Sequence, residues 1–266
     1  HYGFINFTTA LSADRVFFNS EYHMNSFLSE LEPFLNSFPD NNETQAVERI
    51  RAKSRLLYLG MDFEGFDAAV AKAGVRAPDE NRVPLILWNH RWEYDKGPEE
   101  FFQALNILMK RGLAFEVAIL GEHFRMIPKL FEEARDVFGE RVVHFGFAKD
   151  YVEYAGWLAR ADIVPVTSTH DFFGASVIEA IYAGVMPILP KRLAYPEHIP
   201  AGLHDMYFYD GFDDLVARLE AAIIERGAQT ERPKTSNGAL REHVARYGWD
   251  KLASIYDEAM EDVVDS

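Results

Sequence analysis

From Val83 to Leu189 the chain alternates short apolar runs with longer amphipathic ones, and no other property limits its fold as tightly. Val83–Asn89, Phe115–Leu120, Arg141–Phe145, Asp162–Val166 and Val185–Leu189 read as buried strands. Gly97–Lys110, Pro128–Phe138, Tyr151–Arg160 and Ala175–Ala183 read as the helices between them, with Phe101, Leu105 and Leu108 on one face at the helical interval. Strands alternating with helices of this length form βαβ units, which build a parallel sheet covered by helices. The reading is a doubly wound α/β domain. Such sheets bind ligands beyond the carboxyl ends of their strands, so functional residues are expected just after Leu87, Leu120, Phe145, Val166 and Leu189.

The flanking segments are plainer. Arg15–Asn19 reads as a strand, about Glu21 to Leu35 as a helix, Ser37–Thr44 as a loop and Arg55–Leu59 as a second strand. Gly74–Arg82 reads as a linker. Trp249, Leu252, Tyr256, Ala259 and Val263 form one apolar stripe on a closing helix, expected to be core packing, with Asp257, Glu258, Glu261 and Asp262 in solvent. No internal repeat interrupts this order.

Several function classes fall away on composition. With 27 Lys and Arg against 42 Asp and Glu, the net charge of −15 argues against a broad polyanion-binding face. It leaves room for one small anion pocket, which needs only a few cations and backbone N–H groups. Without cysteine there is no disulfide, thiolate metal site or thiol nucleophile. No apolar run reaches the ~18–20 residues that span a bilayer. The amino terminus lacks a signal-peptide pattern, so a cytoplasmic location is expected and the sequons at Asn6 and Asn42 are chance matches. Position 1 is His, which suits a piece of a longer chain. G-x-S-x-G, Walker A, G-x-G-x-x-G and H-E-x-x-H patterns are all absent.

Three segments could carry chemistry. In Trp88–Glu99, Arg91 and Lys96 follow a buried strand and precede a helix beginning near Pro98. Arg can fork two phosphate oxygens while Lys adds a point charge, which suits a diphosphate. The same residues also suit a surface network in which Glu93, Asp95 and Glu99 neutralise both cations. In Thr167–Ala180, Gly174 lets the backbone approach a ligand at a helix start, and Asp171 and Glu179 supply carboxylates for vicinal hydroxyls. The plainer alternative has Asp171 capping the helix and Glu179 in solvent. Gly121-Glu122-His123 and Gly146-Phe147-Ala148-Lys149-Asp150 follow two further strands, and either loop could hold a flat base. His90, His123 and His170 all lie on ligand-side loops, with no individual role assigned.

Together these segments resemble the retaining nucleotide-sugar glycosyltransferases of the GT-B fold, family 4. The Arg-x4-Lys pair of that family is matched by Arg91 and Lys96, and its acid-x7-Glu motif by Asp171 and Glu179 around Phe172, Phe173 and Gly174. Glu179-Ala180 and Gly184–Pro187 continue the pattern. Within the family, His90–Lys96, His170–Gly174 and Tyr195-Pro196-Glu197 are most similar to the tRNA-queuosine mannosyltransferase-like proteins. The resemblance runs from about Arg55 to the end.

It implies a Rossmann-like carboxyl-terminal GT-B domain over 63–248, a partial amino-terminal domain over 1–62 and a closing helix over 249–266. It implies a hexosyltransferase moving mannose from GDP-mannose to an acceptor such as queuosine in tRNA, the tRNA held through amino-terminal residues outside this sequence. Arg91 and Lys96 would neutralise the donor diphosphate with no obligatory metal. Arg91, Lys96 and Asp171 would be catalytic; Asp171 and the backbone of Phe172, Phe173 and Gly174 would bind the sugar, Glu179 the ribose, Phe147 and Ala148 the base, and Ala175 and Gly121 would also touch the donor. The first acid is usually Glu, and Asp171 is one methylene shorter. Two other readings stand beside this one: a UDP-sugar enzyme with a lipid or polysaccharide acceptor, and a non-catalytic nucleotide-sugar-binding module.

Overall fold

A computed structural model describes residues 2–39, 42–74, 83–121, 127–228 and 238–264. The chain divides into two units, His1–Met61 with Arg246–Ser266, and Asp62–Ala245.

In the first unit, strands β1 (Val16–Phe18) and β2 (Ser54–Leu56) pair in parallel, Val16 opposite Ser54. Helices Tyr2–Ser12, Glu21–Asn36 and Gln45–Lys53 bury Phe7, Leu28, Leu31, Leu35, Val47 and Ile50 together. Ser20 starts the second of these by accepting a hydrogen bond from His23 N at 2.9 Å. Strand β2 stops short of the expected Leu59. Its last ladder bond runs from Leu57 N to Phe18 O, because beyond Phe18 the neighbouring chain turns into its helix. The closing helix Trp249–Val264 is anchored by Trp249 N on Met61 O and by the Tyr256 hydroxyl on Tyr58 O, at 3.0 and 2.8 Å. Its stripe is only partly core: Leu252 is buried, while Tyr256, Ala259 and Val263 are half-buried and Trp249 is 42% exposed.

The second unit holds strands β3 (Leu85–Trp88), β4 (Glu116–Leu120), β5 (Val142–Gly146), β6 (Ile163–Pro165), β7 (Met186–Pro190) and β8 (Phe208–Tyr209). They form one parallel sheet in the order β5-β4-β3-β6-β7-β8. The chain runs outward from β3 through β4 to β5, returns to β6 beside β3, and runs outward again. Order therefore reverses between β3 and β6, which is where a doubly wound sheet opens its ligand crevice. All four residues of β3 are buried, as expected for a strand covered on both faces. Phe101, Leu105 and Leu108 of helix Pro98–Lys110 are fully buried in the same core as Trp88 and Phe131. Each such side chain contributes about 1.5–3 kcal/mol of apolar burial.

Helices Phe63–Ala73 and Gly211–Gly227, and strand β8, stand where the sequence reading has no element. Asp62 caps the first by accepting from Gly65 N at 2.8 Å. Of the expected linker, Gly74 is described and residues 75–82 lie outside the described residues. Among the described residues no helix is long and apolar enough to cross a membrane.

Candidate functional site

The loop after β3 sends its first two side chains inward and the third outward. Asn89 and His90 are buried, and both reach the first turn of helix Ala175–Tyr182. Asn89 Nδ2 donates to Ser176 O at 2.7 Å, and His90 Nδ1 lies 3.2 Å from Ser176 Oγ. Arg91 turns outward and pairs with Glu93 at 3.1 Å. Trp92 pulls the chain back in: it stacks on Phe131 at 4.5 Å between ring centroids and donates Nε1–H to Leu120 O. One 3-10 turn, Tyr94–Lys96, then directs the Lys96 side chain into the protein, where the residue is 8% exposed.

The loop after β6 closes on the first. Thr167 Oγ1 lies 2.9 Å from the carbonyls of both Lys96 and Gly97, and Thr169 N donates to Asp95 O at 2.8 Å. Lys96 Nζ donates to His170 O at 2.8 Å and sits 3.5 Å from both Asp95 Oδ2 and Asp171 Oδ2. The expected network of cations and acids thus exists in part. Arg91–Glu93 lies at the surface, but Lys96 with Asp95 and Asp171 lies inside.

Asp171 does not cap the helix. Its Oδ1 accepts from Phe173 N and its Oδ2 from the Tyr195 hydroxyl, both at 3.3 Å. The cap position is Gly174, whose φ of +79° strongly disfavours a side chain, and whose missing Cβ would stand 3.0 Å from the Tyr195 ring. Gly174 has no side chain with which to cap this helix start, so the cap position itself offers no acceptor to the first-turn N–H groups. Phe173 is buried against His198, Phe172 is half-buried, and Ala175 opens the helix.

Glu179 is not a solvated residue either. Its Oε2 accepts from the Tyr154 hydroxyl at 2.7 Å and its Oε1 from Tyr151 at 3.2 Å. Burial pushes its carboxyl above the usual range, against the two phenols, which hold it down. Burial first, then the Glu179 charge, raises Tyr154 far above an ordinary phenol. Both tyrosines come from helix Tyr151–Arg160, which starts where Asp150 accepts from Glu153 N at 2.8 Å.

Glu179, Tyr151 and Tyr154 line a crevice of about 430 Å³ with Arg91, Gly121, Phe147 and Ala148, whereas Lys96, Asp171 and residues 172–175 are not part of its lining. Phe147 is 71% exposed and Ala148 is buried beside it. The space at Gly121 is not free for a flat ring. A Cβ there would stand 2.2 Å from His90 O, so this glycine admits neighbouring backbone. Glu122 and His123 lie outside the described residues. A shallower depression of about 750 Å³ lies along β5, lined by residues such as Arg135, Glu140 and His144, with none of the switch-point groups. Among the described residues no three His, Asp or Glu side chains converge as a metal-binding group.

Ser176, Tyr151, Tyr154 and Tyr195 are site residues to which the sequence reading gives no role. Tyr151 and Tyr154 are three apart on a helix that begins just beyond a strand end, a spacing that puts them on one face. Tyr195 lies on the loop after β7, where the fold rule points.

A sheet whose order reverses between β3 and β6, with a crevice at that reversal, is a doubly wound parallel sheet, and the solved structures it is similar to are GT-B glycosyltransferases. The chain covers 99% of itself on sucrose-phosphate synthase from Thermosynechococcus elongatus and 61% of that chain, with a TM-score of 0.69 and 18% identity. Residues 76–237 match the family model described as glycosyl transferases group 1, and the chain belongs to that family. Residues 1–61 match the model described as tRNA-queuosine alpha-mannosyltransferase N-terminal. It is 39% identical over 204 residues to the tRNA-queuosine alpha-mannosyltransferase of Drosophila melanogaster, covering 75% of this chain and 53% of that one. It is 24% identical over 226 residues to the GDP-mannose:cellobiosyl-diphosphopolyprenol alpha-mannosyltransferase of Xanthomonas campestris, covering 81% and 55%. The chain thus spans about half the length of these curated relatives.

Proposed function

We propose that the protein containing this chain is a retaining family 4 mannosyltransferase that moves mannose from GDP-mannose to queuosine in tRNA, in the cytoplasm and without an obligatory metal. The 39% identity to the Drosophila melanogaster protein, joined to the amino-terminal match over residues 1–61, carries this reading. The second unit supplies the donor site.

The chemistry suits the groups at the switch point. In the transfer, the bond from the mannose C1 to the diphosphate oxygen breaks and its electron pair stays on the diphosphate. The acceptor hydroxyl oxygen bonds to C1, and its proton ends on the released diphosphate. Negative charge grows on the diphosphate during this step, and a preset cation in a dry site stabilises it more than water does. Lys96 is held in place by His170 O, and Arg91 stands at the crevice edge where it can leave Glu93 for a phosphate. The uncapped helix start at Gly174 adds N–H donors. Asp171 faces the sugar, Glu179 the ribose hydroxyls, and the exposed ring of Phe147 offers the base a stacking surface.

The test is transfer by the full-length protein from GDP-mannose and, separately, UDP-glucose to tRNA bearing queuosine, read by mass spectrometry of the nucleosides. Mannosyl-queuosine formed from the GDP sugar alone is the expected product. Transfer only from the UDP sugar, or from neither, would overturn the proposal.

A further inference from the structure

His90, with Asn89, joins the loop after β3 to the helix after β6, and half of its ring has no partner among the described residues. The side chain is 3% exposed. Nδ1 faces Ser176 Oγ at 3.2 Å, the ring stands edge-on to Trp88 at 5.3 Å, and His90 O accepts from Trp88 Nε1. These contacts fix the ring plane. Nε2 is buried and has no hydrogen-bond partner among the described residues, although the residue lines the crevice. A buried polar atom without a partner is costly, so a native site holding one calls for an explanation.

The charges around the ring narrow the explanation. Asp171, Lys96 and Asp95 all act on it, Asp171 more than the other two. Burial outweighs the acids and holds the imidazole down at about 4, so it is neutral near pH 7. A neutral ring has one N–H and one lone pair. In the tautomer whose Nδ1 accepts from the Ser176 hydroxyl, the proton sits on Nε2, which is then a donor.

We infer that His90 Nε2–H binds a hydroxyl oxygen of the donor's hexose, beside Asp171. This rests on the reading of the crevice as a nucleotide-sugar site. Asp171 accepts hydrogen bonds and Lys96 carries charge, so a neutral N–H near both adds a sugar contact of the opposite polarity to that of Asp171. His90 is then a substrate-contacting residue.

Two substitutions separate this role from a structural one. In His90→Asn the amide falls near the position of Nδ1 and keeps the Ser176 contact while losing Nε2. In His90→Gln the amide reaches the position of Nε2. Calorimetry on the full-length protein would measure GDP-mannose and GDP binding to each. His90→Asn is expected to bind GDP-mannose roughly tenfold more weakly and GDP as before, with His90→Gln close to wild type. The opposite ranking would make His90 a brace for Ser176 and overturn the inference. If neither variant folds, long-range proton–nitrogen spectra of the wild type decide, with the His90 Nε2 signal moving on addition of GDP-mannose but not GDP. No movement, or equal movement with both, overturns the sugar contact. If the wild type binds neither ligand, the donor-site reading itself fails, a separate result.

Discussion

Lys96 Nζ stands 3.5 Å from Asp171 Oδ2, with the two side chains 11% and 15% exposed. The cation comes from the loop after β3 and the acid from the loop after β6, so the pair bridges the point where strand order reverses. The same ammonium serves Asp95, so its removal leaves two nearly buried carboxylates facing one another. Lys96→Met is expected to cost about 3 kcal/mol of stability and to abolish donor binding. Adding Asp171→Asn should restore much of the stability and none of the binding. Urea unfolding and calorimetry on the wild type, both single variants and the double variant check this. Stability no higher in the double variant than in Lys96→Met would refute it.

Tyr154 and Tyr151 do unequal work on Glu179. The Tyr154 bond is 2.7 Å and its hydroxyl is enclosed, whereas the Tyr151 bond is 3.2 Å and that residue is half in solvent. Hydrogen bonds to a charged group are worth about 1.5–3 kcal/mol, so Tyr154→Phe should raise the KM for donor by roughly tenfold or more with kcat little changed. Tyr151→Phe should do less. Both phenols hold the Glu179 carboxyl down, so Tyr154→Phe lets it take a proton at higher pH. The acid limb of donor affinity should therefore move to higher pH, a shift that a merely loosened helix would not produce.

Much of this site was legible because parallel strands buried on both faces write themselves as apolar runs. Leu85–Trp88 and Glu116–Leu120 are such runs, and the residues after them line the crevice. Helix Gly211–Gly227 was legible in principle, since its buried Leu215, Val216, Leu219, Ala222 and Ile223 follow the helical interval. Gln45–Lys53 was harder: nine residues and three small or branched apolar positions give little periodic signal. The pairing of Lys96 with Asp171 depends on which strands are neighbours, and order in a sheet is set by tertiary packing. For the same reason Tyr195 could be placed on a ligand-side loop but not against Asp171.

On the proposed ribose contact, Glu179 sets a conflict between stability and binding. Its folded proton affinity exceeds its unfolded one, so ionising it costs folding free energy. That cost is absent below the unfolded value, grows as pH rises toward the raised folded value, and is complete above it. Glu179→Gln removes the charge and keeps a group that both phenols can meet. Its Tm should exceed the wild type's at about pH 8, and the gap should shrink toward about pH 4, where the wild-type carboxyl is largely protonated. Donor affinity should fall at every pH. Thermal melts across this range check the sign, and a variant less stable at the alkaline end would overturn the account.

Gly121 carries a positive φ of 144°, and a Cβ there would stand 2.2 Å from His90 O and 2.8 Å from the Trp92 ring. Neither neighbour can give way cheaply. His90 O already accepts from Trp88 Nε1, and Trp92 is stacked on Phe131. Gly121→Ala must therefore displace the loop that bears Asn89, His90 and Arg91, and overpacking of this kind costs about 1–3 kcal/mol. Gly112→Ala is the control. It also has a positive φ, 82°, but no atom within 4 Å of the new methyl, so it pays only backbone strain of about 1–2 kcal/mol. Both variants should melt earlier than the wild type, yet only Gly121→Ala should bind GDP-mannose more weakly. Equal affinity in the two variants would mean that the position of the loop after β3 does not govern the donor site.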